Sequence, residues 1–148
     1  MGGPISPIIA NITMDHLFTK CSQTVPAQCK PRLAKKFVDD SFEICKKGRV
    51  EELTDHMNRL DPTGSLKFTY EEEQEGKLAF LDTLVHRQPD GTLRTTVYRK
   101  KTHTDQYLHF QSHHPLHQKQ GVIRTLIDRA DALISEPDDR KLEMEYVT

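Results

Sequence analysis

Long apolar runs, paired cysteines and net charge are all scarce in this chain of 148 residues. No stretch of about 18 consecutive apolar residues occurs, which excludes a membrane-spanning helix by pattern. The opening Met1-Gly2-Gly3-Pro4-Ile5-Ser6-Pro7 has neither the basic start nor the apolar block of a signal peptide. Cys21, Cys29 and Cys45 are odd in number and cannot all pair within the chain. Reduced thiols in an intracellular protein, nuclear or cytoplasmic and not secreted, are the expectation. Collagen-like, coiled-coil and disordered classes are excluded as well, because apolar residues recur along the chain at helix-like and strand-like spacing. What is present, 35% hydrophobic residues over this length, suffices for a core without disulfides.

The formal net charge of −1 conceals blocks. Residues 1–50 carry +4, 51–82 carry −6, 83–130 carry +5 and 131–148 carry −4. Alternating blocks suggest surfaces with different tasks, basic ones suited to phosphate and acidic ones to a metal. Ordinary solvated helix faces are the competing explanation.

Read along the chain, Ser6 is placed to cap a helix with Pro7 in its first turn, and a helix is expected over 7–19 from Ile8, Ile9, Ile12, Leu17 and Phe18. Residues 20–32, with Pro26 and Pro31, read as a loop. Leu33, Phe37, Phe42 and Ile44 flank Phe37-Val38-Asp39-Asp40 as a tight β-hairpin, with the two acids at its tip and Phe37, Val38 and Phe42 anchoring it in the core. Val50, Leu53, Met57 and Leu60 mark an amphipathic helix, stopped by Asp61-Pro62. A strand is predicted over 66–70, and a second hairpin, 78–85 with 93–98, around Pro89-Asp90-Gly91. A helical stripe from Leu116 to Ile134, interrupted at Gly121, and a last helix from Pro137 complete an α+β layout with antiparallel sheet.

Asp39 and Asp40 are the sharpest chemical feature. Strand neighbours point to opposite faces, but at a hairpin tip that alternation breaks and both carboxylates are presented together. Such a pair suits Mg²⁺, a hard cation that takes carboxylates, waters and phosphates. Pairs of such ions stabilise the attacking and leaving oxygens of phosphoryl transfer. A plain solvated Asp-Asp turn is the simpler reading of the dipeptide taken alone.

The surroundings of that dipeptide carry a resemblance. Phe37-Val38-Asp39-Asp40 resembles the Tyr-x-Asp-Asp palm motif of reverse transcriptases. The opening Gly2-Gly3-Pro4-Ile5-Ser6-Pro7, with Asn11, resembles the Gly-x-Pro-x-Ser-Pro motif that precedes it there. Phe80-Leu81-Asp82-Thr83-Leu84, the run from Val97 to Leu108, Ser112-His113-His114-Pro115 and the helix with Gly121 and Arg129-Ala130 are similar to downstream segments of Penelope-like retroelement reverse transcriptases. The resemblance implies a partial polymerase palm over 1–102 and a helical, thumb-like and helix-turn-helix-like segment over 103–148. It implies RNA-directed DNA polymerisation, a two-metal nucleotidyl transfer using Mg²⁺ or Mn²⁺, with RNA template, DNA primer and dNTPs as partners. Asp39 would bind catalytic metal and Asp40 would support it. Gly2, Gly3, Pro4 and Ser6 would lie under the templating base and incoming nucleotide, and Phe37 would be a further substrate- or template-binding residue. Phe37 stands where the family has Tyr, and Gly3 where it often has Ser. The family's other metal-binding Asp lies on an earlier palm strand, upstream of this segment, so the expectation is a fragment with little or no polymerase activity alone.

Arg99 and Lys100, with Arg87, Arg94 and Lys101 around Tyr98 and Tyr107, suit template or primer contact through phosphates and base stacking. Solvated hairpin residues are the alternative. Five of eight histidines fall within residues 103–117. Their spacing fits no zinc finger with paired cysteines, and backbone contact or a polar loop explains them as well. Besides the reverse-transcriptase fragment, a non-catalytic nucleic-acid-binding module derived from a retroelement fits these features.

Overall fold

The structure is a computed structural model, and it describes residues 5–104 and 106–147. Gly2, Gly3 and Pro4, three of the expected template-contacting residues, lie outside the described residues. Among the described residues the chain forms four helices and two small antiparallel sheets, an α+β fold. The elements are α1 (Ser6–Thr24), β1 (Leu33–Phe37), β2 (Asp40–Ile44), α2 (Val50–Leu60), β3 (Lys77–Phe80), β4 (Thr83–Arg87), β5 (Leu93–Val97), α3 (Leu116–Leu133) and α4 (Pro137–Val147). Contacts divide the chain into two compact units, 1–71 and 72–148. The expected border near residue 103 follows sequence resemblance, whereas this division follows packing.

In the first unit, α1 begins at Ser6 itself. Its N-cap is Ile5, no side chain caps it, and Pro7 sits in the first turn. The helix runs on to Thr24, past the expected end at residue 19. Burial explains the extension: Met14, Leu17, Cys21 and Val25 recur at helical spacing and are all covered. Ile5, Ile8, Ile9 and Ile12 lie roughly on the opposite side and are 58–64% exposed. At about 100° per residue, the apolar stripe therefore changes sides halfway along α1, where the sequence suggested one continuous face. Cys21, Val25 and Cys29 pack with Leu53 and Met57 of α2, and Phe18, Cys45, Leu60 and Phe68 close over them. All three cysteines are thus core residues, and they are free thiols.

Residues 66–70 form no strand. The Asn58 side chain holds that segment instead, accepting from Phe68 N–H at 2.6 Å and donating to Phe68 C=O at 3.1 Å. A side-chain amide meets backbone groups that a neighbouring strand would otherwise satisfy.

In the second unit, the expected hairpin is a three-stranded meander, β3-β4-β5. The extra turn falls at Leu81-Asp82, between paired Phe80 and Thr83. Helix α3 continues through Gly121 without a break, since one glycine inside a helix costs only about 1 kcal/mol. It packs on β5 and α4. Ala130 and Ile134 are buried there. Ser135 locks the junction, its N–H donating to Thr95 C=O at 3.2 Å while its Oγ accepts from Thr95 N–H at 3.0 Å.

Candidate nucleic-acid interface

The acidic hairpin forms as expected, as β1 and β2, with Phe37 opposite Asp40 and Val38-Asp39 as a two-residue turn. Asp39 is at the tip, while Asp40 opens β2. Val38 has φ 54°, a conformation costly for a β-branched residue and concentrated at functional sites. The second unit repeats this device: Leu81, in Phe80-Leu81-Asp82, has φ 55°. The tip is not anchored in the core as expected. Phe37 is 58% exposed, Val38 is also exposed, and Phe42 is only half-buried. The short strands project the turn away from the cysteine-rich core, which takes its apolar residues from α1 and α2 instead.

Both acids are exposed. Their oxygens have the hardness that Mg²⁺ prefers. Among the described residues, however, no three His, Cys, Asp or Glu side chains converge as a metal site. The pair is two exposed carboxylates with no third such donor among the described residues converging on them. It does not by itself supply the donors of a two-ion centre.

Asn11 and the hairpin, which belong to the two motifs of the resemblance, do meet. Lys36 on β1 donates to Asn11 Oδ1 at 2.5 Å and pairs with Asp15 at 2.9 Å, both on α1. Ser6, at the start of the same helix, is exposed. No local sequence signal announced the Lys36 bridge, because its partners lie 25 and 21 residues away.

The basic residues of the second unit split into two groups. Arg94 and Arg99 are engaged by α4. Arg94 grips Asp139 through Nε (2.6 Å) and Nη2, and Arg99 grips Glu143 through Nη1 (3.0 Å) and Nη2. Arg99 also stacks over Tyr146, 4.1 Å from the ring centre. Asp139, Glu143 and Tyr146 share one face of α4. The carboxylate holds the Arg94 guanidinium above its ordinary pKa. Arg99, read from sequence as a template contact, therefore also anchors a helix.

A cavity of about 290 Å³ takes basic residues from both groups, Arg99 as well as Lys100 and Arg129. Lys100, Thr102, His103 and Thr104 line it from one turn, closed by His103 N–H donating to Lys100 C=O at 2.8 Å. Asp82 and Arg129 line it too. Lys100 is exposed. Nε and Nη2 of Arg129 are buried, and among the described residues no acceptor reaches either. The sequence offered Arg129 only as part of a resembling helix, since its cavity neighbours come from a turn some 25 residues earlier.

The histidines do not converge. His103 meets the Tyr107 hydroxyl at 3.3 Å, His109 accepts from Gln111 N–H at 3.2 Å, and His114 meets Ser112 Oγ at 3.1 Å. Lys119 on α3 gathers this loop, donating to Phe110 C=O at 2.5 Å and Ser112 C=O at 2.6 Å. Helices α3 and α4, joined by Ile134-Ser135-Glu136, form the last part of the unit. No helix among the described residues is long and apolar enough to cross a membrane.

No curated protein and no solved structure matches the chain. Residues 106–148, which contain α3 and α4, match the family model of the animal helix-turn-helix domain, the segment that sequence reading had marked as helix-turn-helix-like.

Proposed function

We propose that this chain is a nucleic-acid-binding module whose contact surface lies on α3 and the adjoining turn at residues 100–104. The observation that carries this reading is the match of residues 106–148 to a helix-turn-helix domain, a motif that commonly docks on DNA. Charge decides which helix faces the phosphates. Helix α4 carries Asp138, Asp139, Glu143 and Glu145 against Arg140 and Lys141, and two of those acids hold arginines of the chain itself. Helix α3 carries Lys119, Arg124 and Arg129 against Asp128 and Asp131, a net positive charge, and lies in sequence after the basic Lys100 and Lys101. Fluorescence anisotropy with a labelled DNA duplex and a labelled single-stranded RNA tests the reading. Micromolar, salt-dependent binding that falls on Lys100→Ala and Arg124→Ala supports it. Absence of binding to both probes at low salt refutes it.

A second reading, that the first unit derives from a reverse-transcriptase palm, draws support from the strained Val38 turn displaying Asp39 and Asp40, and from the bond between Asn11 of the first motif and Lys36, the residue before the second. In an intact polymerase those acids would hold Mg²⁺ or Mn²⁺ for nucleotidyl transfer to a DNA primer on an RNA template. Paramagnetic broadening by Mn²⁺ confined to Val38–Asp40, and lost in Asp39→Asn, is the expected result. Unbroadened tip resonances would count against it.

A further inference from the structure

We infer that the cavity beside α3 is an oxyanion site in which Arg129 holds a backbone phosphate of the bound nucleic acid; this rests on the reading above. Nε and Nη2 form one edge of a guanidinium, the edge that pairs side-on with an oxyanion. Two other arginines of the unit use that edge in this way. Arg87 holds Glu73 with Nε at 2.9 and 3.0 Å and Nη2 at 2.5 Å, and Arg94 holds Asp139 likewise. In Arg129 the same edge is buried and has no acceptor among the described residues. A buried donor left unmade is expensive, so a turn of the side chain that offers this edge to an acceptor in the cavity is favoured.

The cavity supplies both the room and the further donors. Lys100 brings an ammonium, and Thr102 and Thr104 bring hydroxyls. A fork, an ammonium and hydroxyls together match a tetrahedral phosphate, whose oxygens outnumber those of a carboxylate. Asp82 also lines the cavity, but it does not reach the Arg129 fork. With Arg99 paired to Glu143, the one charge of Asp82 against Arg129 and Lys100 leaves one cation in excess.

The test uses the full chain, with NMR detection of the arginine Nε–H signals. Inorganic phosphate and a short DNA duplex are titrated separately. The expected result is a saturable shift of the Arg129 signal with both probes. Arg129→Lys, which keeps charge but loses the fork, should weaken duplex binding roughly tenfold. Lys100→Ala should lower the slope of log affinity against log salt by about one. Arg129→Met breaks no internal bond and should leave the thermal midpoint unchanged or raised. A duplex that binds with the Arg129 signal unmoved, and equally well to Arg129→Lys, overturns this site while leaving nucleic-acid binding standing. A signal moved by phosphate alone, with no duplex binding, overturns the nucleic-acid source and the proposed function, and identifies a site for free phosphate. No response to either probe overturns both.

Discussion

Replacing Arg99 by methionine should detach α4. None of that helix's side chains is fully buried, and an isolated helix of its length is marginal in water. Its position therefore depends on the Arg94–Asp139 and Arg99–Glu143 pairs, the more exposed Arg140–Asp131 pair with α3, and the Tyr146 stack. The Arg99 and Glu143 side chains are 22% and 10% exposed. Removing one partner of a fully buried pair costs about 3–5 kcal/mol, and of an exposed pair about 0–1. An intermediate value of about 2 kcal/mol suits this burial. The cation–π contact adds roughly 1 kcal/mol. A total near 3 kcal/mol corresponds to roughly a hundredfold change in the docking equilibrium. Amide hydrogen exchange reads this directly: protection across Pro137–Val147 should fall by about that factor in Arg99→Met, while β4 amides keep theirs. Arg99→Lys should fall between, since charge survives and the fork does not. If α4 protection in Arg99→Met stays within roughly threefold of the parent, the anchoring argument fails.

Three further outcomes are expected. Burial, aided by Arg94 and Lys77, pushes His86 below its ordinary pKa, against a weaker opposing pull from Asp139. The fold therefore favours neutral His86, and stability should be lost as pH falls below about 6.5; urea melts at neutral and mildly acidic pH should show a loss that shrinks in His86→Gln. Burial, with Glu43 and Cys29, pushes the Cys45 thiol up to about 11. Ellman's reagent should accordingly label Cys45 slowly in the native chain, and all three thiols promptly in denaturant. Val38→Gly removes the strain of a β-branched residue at φ 54° while losing little burial, and should stabilise the hairpin by about 1 kcal/mol, read as a higher denaturation midpoint of the first unit.

The parts legible from sequence were those set by local periodicity and turn chemistry. The Asp39-Asp40 hairpin, α2 and the α3–α4 pair follow from apolar spacing and from Asp61-Pro62 and Glu136-Pro137 as punctuation. Residues 66–70 misled because alternation is also produced by an extended segment tied to a side chain, and Asn58 sits in the preceding helix. The split at Leu81-Asp82 was hidden because the turn places a leucine, not a glycine, at positive φ. The site was legible as residue types, with Lys100, Arg99 and the basic block all visible. That Arg94 and Arg99 hold α4 while Arg99 and Arg129 line a cavity depends on contacts some 30–45 residues apart, beyond any local pattern.

The charged fastening of α4 has a consequence for measurements on the whole chain. Added salt weakens an interface with phosphates by making counterion release less favourable. The same salt loosens Asp139 and Glu143 from Arg94 and Arg99, and so uncovers two guanidinium groups that could themselves meet phosphate. One effect lowers affinity with ionic strength and the other raises it. A plot of log affinity against log salt should then bend, and a slope taken across the bend would undercount the phosphates bound. Following α4 by exchange at each salt concentration separates the helix's own equilibrium from that of the interface.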